Sequence, residues 1–144
     1  MIKVLVVHGA GMNMRGKVQF ETFGPMTLDG YDKAIATYAN ELNVSVETFH
    51  SNIEGEVINR FYQAFEVGID AAIINPSGFS NGYPALVSAI NQVQFPTIEV
   101  HVSNPAARGG GSQVTAACKG VVAGFGVYGY YLALQAVLSL LKPQ

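Results

Sequence analysis

Glu99 and His101 stand two residues apart at the end of an apolar run, and in an extended chain that spacing turns both side chains to one face. A carboxylate beside an imidazole fixes the ring's tautomer and raises its basicity, which equips the pair for general acid/base work. The same pairing also occurs as a purely structural contact, so its neighbours decide. Asn75 closes another apolar run in Asn75-Pro76-Ser77-Gly78. Its amide can hold an oxyanion or a water, although asparagine before proline is also an ordinary turn former. Ser103 and the N–H groups beside it can form a nest for a carboxylate past a strand end, or a plain turn.

Other suggestive residues are weaker. His8 and His50 lack metal-ligand spacing, so no metal site is expected. Gly9-Ala10-Gly11 imitates the start of a dinucleotide loop, but the glycine pattern breaks at Arg15-Gly16, and no cofactor is expected. Arg108-Gly109-Gly110-Gly111-Ser112 is a flexible loop with one cation, able to close over an anion or simply to connect structure. Arg15 and Lys17 are candidates on a loop that could close over a ligand, but read first as solvated loop cations, and Cys118, the only cysteine, reads as a buried structural thiol with no disulfide partner.

The elements that must position these residues alternate. Apolar runs at Ile2–Val7, Asn43–Phe49, Ala71–Ile74, Thr97–Val102 and Gly120–Phe125 read as strands buried on both faces. Between them, Thr27 caps a helical pattern carrying Leu28, Tyr31, Ile35, Tyr38 and Leu42, and Val57, Ile58, Phe61 and Phe65 repeat that spacing. Pro84 opens a third helix to about Asn91, and Tyr128–Leu141 is a fourth. Strands alternating with helices predict a flavodoxin-like, doubly wound, five-stranded parallel sheet in a single domain spanning 1–144. In such a sheet the loops after Val7, Ile74 and Val102 converge on one crevice. The last helix is apolar on more faces than one sheet can cover, and the excess is read as a subunit interface.

Composition narrows the partners. Nearly half of the 144 residues are apolar and the net charge is −2, which points away from nucleic acid and from a basic membrane-binding surface, and towards a small molecule or a protein partner. The opening apolar run is too short for a membrane span and no signal-peptide cleavage pattern follows it, so a cytoplasmic protein is expected.

Taken in order, Val6-Val7-His8-Gly9 with Asn13, Gly16, Gly24 and Thr27-Leu28 resembles the opening V-I-H-G-P-N-L-N-L-L-G-x-R-x-P-x-x-Y-G-x-x-T-L of the type II dehydroquinases (3-dehydroquinate dehydratases). Ser51-Asn52-x-Glu54-Gly55, Ile73-Ile74-Asn75-Pro76, Glu99-Val100-His101-Val102-Ser103-Asn104 and the stretch from Lys119-Gly120-Val121 to Leu132-Ala133-Leu134 resemble the remaining signatures. The match runs through nearly the whole chain.

The resemblance implies a division of labour. A lid tyrosine, kept ionised by a lid arginine, removes a proton next to a ketone. An asparagine-held water steadies the enolate, and the histidine protonates the departing hydroxyl. It also implies a carboxylated substrate contacting Val102, Ser103, Asn81, Arg108 and Asn13, and trimers assembled into a dodecamer. Phe23 stands in place of the tyrosine, Val18 in place of the arginine, and Gly11 in place of an asparagine that assists the histidine. Asn81 replaces a histidine, Ser88 an aspartate that reaches in from a neighbouring subunit, and Ser112 stands near that aspartate's arginine partner. Three residues are also deleted before Lys119. Losing an acid and its partner together is what electrostatics favours in a rebuilt pocket, because one buried charge left alone costs several kcal/mol. Asn75, Glu99, His101, Ser103 and Arg108 are retained.

The expectation is therefore an enzyme that uses His101, oriented by Glu99, on another small polar or carboxylated ring compound by elimination, hydration or water activation. Tyr83 is the candidate for a replacement phenol. Two other readings follow: ordinary 3-dehydroquinate dehydration with a displaced base, and a non-catalytic oligomeric binder.

Overall fold

In the computed structural model, which describes residues 1–142, five parallel strands lie in the order β2-β1-β3-β4-β5. They are β1 (Lys3–Ala10), β2 (Ser45–His50), β3 (Ala71–Ser77), β4 (Thr97–His101) and β5 (Gly120–Ala123). Alternation along the buried strands sends residues to two cores. Val4, Val6, Ala71, Ile73, Ile98 and Val100 face one side, and Leu5, Val7, Ala72 and Ile74 the other. After a short first helix, α1 (Phe20–Phe23), the long helices α2 (Leu28–Leu42) and α5 (Tyr128–Leu141) cover the first side, where Tyr31, Ile35, Tyr130 and Leu134 are buried. The second side is covered by α3 (Glu54–Glu66) and α4 (Pro84–Gln92) through Val57, Phe61, Leu86 and Ile90. This is the flavodoxin-like doubly wound layer expected from the alternation.

The helix boundaries have local causes. Thr27 Oγ1 accepts from the Gly30 N–H at 3.2 Å and caps α2, which ends at Asn43 in the left-handed region. Pro84 occupies the first turn of α4, where its missing N–H costs nothing.

Two strands run further than the sequence predicts. His8-Gly9-Ala10 and Asn75-Pro76-Ser77 look like loop openings, yet His8 pairs with Asn75 and Ala10 with Ser77 in the continuing β1/β3 ladder. The ladder is tight there: a Cβ on Gly9 would lie 2.0 Å from the Pro76 carbonyl oxygen. Conversely β5 stops at Ala123, because Gly124 and Gly126 adopt positive φ and turn the chain towards α5. Short 3₁₀ turns at Met12–Met14, Pro105–Arg108 and Val114–Ala117, and α1 itself, were not foreseen. Cys118 is half-buried rather than enclosed. Among the described residues no helix is long and apolar enough to cross a membrane.

Candidate active site

The carboxyl ends of β1, β3 and β4 open on a cavity of about 360 Å³, walled by His101, Asn75, Ser103, Arg108, Arg15 and Phe23 among others. His101 ends β4 and presents a side chain only 12 % exposed. Its Nε2–H donates to Glu99 Oε2 at 2.7 Å. Glu99 is wholly buried, and Thr115 Oγ1 donates to its other oxygen. Burial pushes the Glu99 carboxyl up, but hydrogen bonds from His101, Ser112 and Thr115 outweigh it and hold the group below its ordinary range. An ionised carboxylate can only accept, so Nε2 carries the ring proton and Nδ1 remains to take or give one.

Asn75, on β3, is fixed from behind: its Nδ2 donates to the Tyr130 hydroxyl at 3.2 Å. Its Oδ1 is buried and has no partner among the described residues, so it is available to a water or a substrate hydroxyl. Burial pushes the Tyr130 phenol well above its ordinary range, which keeps it a neutral support. Val102 and Ser103 follow His101 in the wall, and Arg108 projects from the 3₁₀ turn behind them.

Arg15 corrects the reading of a solvated cation. It follows the Met12–Met14 turn and is only 6 % exposed. Its Nε donates to Met12 Sδ at 3.3 Å and its Nη2 to Ser77 Oγ at 3.2 Å. Its guanidinium carbon lies 3.4 Å from the centre of the Phe23 ring. Burial lowers its pKa, against the attraction of the Tyr31 and Tyr130 oxygens and with the repulsion of Arg108. One signal was available: Arg15 occupies a place where the L-N-L-L-G motif is apolar, and a cation there must be buried or displaced.

Three candidates stand elsewhere. Tyr83 does not reach the cavity; its ring meets Phe79 edge-on at 4.9 Å in the second core, so it is no replacement base for the cavity. Asn81 is exposed and its Nδ2 donates to the Gly111 carbonyl at 2.9 Å, which fastens the glycine-rich loop instead of lining the cavity. Asn13 is exposed and its Oδ1 accepts from Asn52 Nδ2 at 3.3 Å, also outside the lining. Phe23 does face the cavity, with a ring that accepts no proton. Among the described residues no group of three or more His, Cys, Asp or Glu side chains converges as a metal site.

A family model described as class II dehydroquinase matches residues 2–138. A 3-dehydroquinate dehydratase of Caldanaerobacter subterraneus is 41 % identical over 143 residues, covering 97 % of this chain and 96 % of the relative. The crystal structure of the type II dehydroquinase of Butyrivibrio crossotus superposes with a TM-score of 0.91 at 28 % identity, covering 95 % of this chain and 97 % of the other. A 3-dehydroquinate dehydratase-like protein of Bifidobacterium longum gives 0.77 at 31 % identity, covering 99 % and 100 %.

Proposed function

The chain belongs to the class II dehydroquinase family, and from that membership we propose a lyase-type enzyme that removes or adds water at a small carboxylated ring compound, with His101 as its acid/base group. The observation that carries this reading is the His101–Glu99 pair in the wall of the cavity, with one ring nitrogen fixed on a buried carboxylate and the other left for chemistry. In the elimination direction His101 Nδ1 first takes a proton from the carbon next to the one bearing the hydroxyl, then delivers it to that hydroxyl as the C–O bond breaks and water leaves. The electrons of the broken C–H bond form the double bond. His101 is the only imidazole or carboxyl side chain among the lining residues, so both proton movements pass through it, on one face of the ring. Asn75 Oδ1 holds a water or a substrate hydroxyl, while Ser103, the backbone at Val102 and Arg108 receive the carboxylate.

A second reading has its own support. The 41 % identity to a named 3-dehydroquinate dehydratase favours dehydration of 3-dehydroquinate itself, with a base other than residue 23. We propose for either case a cytoplasmic homo-oligomer of trimers assembled into a dodecamer; Tyr128 and Leu140, left exposed on α5, suit such contacts.

The test is to incubate the protein with 3-dehydroquinate, quinate and related hydroxylated ring carboxylates and to follow loss or gain of water by proton NMR. Conversion of at least one, lowered about 10²- to 10⁴-fold in His101→Ala, is expected. Conversion that survives His101→Ala, or none of any compound, removes the reading.

A further inference from the structure

A guanidinium has five N–H groups. At Arg15, which lines the cavity, one goes to a thioether sulfur and one to a neutral hydroxyl, and the other three have no partner among the described residues. Among the described residues no carboxylate lies within 4.0 Å of it, because it takes part in none of the ion pairs. The carboxylate beside the cavity, Glu99, is already spent on His101 and Thr115. Burial pushes the phenol of Tyr31 up as it does that of Tyr130, so neither supplies a counter-charge. Arg108 adds a second cation to the cavity lining. A cation this deeply buried is costly unless an anion meets it.

Phe23 explains why that anion has to come from outside. Its ring packs against the guanidinium, with the guanidinium carbon over the ring, and offers it no acceptor oxygen. A phenol at the same position would place an ionisable oxygen in the pocket; phenylalanine places none. Relative to the family motif, an apolar residue has become Arg15 and a tyrosine has become Phe23, and the two replacements touch. The family resemblance implies a phenolate balanced by an arginine at this end; Phe23 and Val18 supply neither, and Arg15 stands there as a cation with no phenolate beside it.

We propose that Arg15 receives a second carboxylate, so that the ligand is a ring dicarboxylate with one acid group in the Ser103–Arg108 end of the cavity and the other on the Arg15–Phe23 pair. The inference rests on the proposed function only for the first carboxylate, and its test reads binding without turnover, so the two can fail separately.

Isothermal titration of the wild-type protein would compare cyclohexanecarboxylate with cyclohexane-1,3- and 1,4-dicarboxylate, alongside Arg15→Leu, which restores an apolar residue, and Arg15→Gln. A charge-assisted contact of this kind gives the better dicarboxylate an advantage of about tenfold or more in the wild type, falling below about threefold in both variants. Thermal melts confirm that at least one variant is folded. Equal affinities in the wild type, binding of none of the three probes, or an advantage that survives in a folded variant overturns the proposal. In His101→Ala the advantage is retained, which separates this site from the acid/base group.

Discussion

An imidazole on a buried carboxylate is useful only while the carboxylate keeps its charge, and at Glu99 three hydrogen-bonding side chains see to that. Glu99→Gln keeps the shape and removes the charge, so ring basicity falls and its tautomer is no longer fixed. A loss of about 10- to 100-fold in turnover of whichever ring carboxylate the protein converts is expected, and an unchanged rate would show the pair to be structural. Cys118 offers a contrasting case: burial pushes its thiol up to about 12, with Glu99 adding repulsion. Its alkylation by iodoacetamide at pH 8 is expected to be about a hundredfold slower in the native protein than after unfolding. The dyad was legible because alternation in a strand is a rigid rule. Arg15 was not, because its burial depends on Phe23 and Ser77, which no local pattern brings to it.

At the scale of elements the strand ends decide the site. Local signals place loops at His8-Gly9 and Asn75-Pro76, since glycine and proline are turn residues in isolation. Pairing overrides them: β1 and β3 continue side by side, so Asn75 is held by a ladder and not by a flexible turn. Gly9 allows that approach, and Gly9→Ala should cost about 1–3 kcal/mol in urea unfolding, since its methyl meets the Pro76 carbonyl backbone. Thr27→Ala removes the cap of α2 and should cost about 1 kcal/mol by the same measurement. The helices were read more accurately than the strand ends, because capping residues and apolar periodicity are both local.

For the whole molecule, the parallel doubly wound sheet followed from alternation, and the cavity lies past the carboxyl ends of β1, β3 and β4, as doubly wound sheets require. The identity of the ligand was not legible, because it depends on which charges face each other across loops. Acid sensitivity also belongs to this scale. Glu99 is held below its ordinary range when folded, so its contribution to stability is complete above the ordinary carboxylate range and is lost as pH falls through the folded value. Urea midpoints between pH 7 and 3 should therefore fall further for the wild type than for Glu99→Gln; parallel profiles would exclude the linkage. Above all, the reading holds that His101 carries both proton movements and that the separate base the family resemblance implies is absent at residue 23. The direct measurement is the rate of 3-dehydroquinate dehydration, followed by the absorbance of the conjugated enone, in the wild type, in Phe23→Tyr/Val18→Arg and in that double variant with His101→Ala. Supplying a positioned base should raise the rate about 10²- to 10⁴-fold, and removing His101 should cancel the gain. A wild-type rate equal to that of the double variant, or a double variant that stays silent, would contradict it.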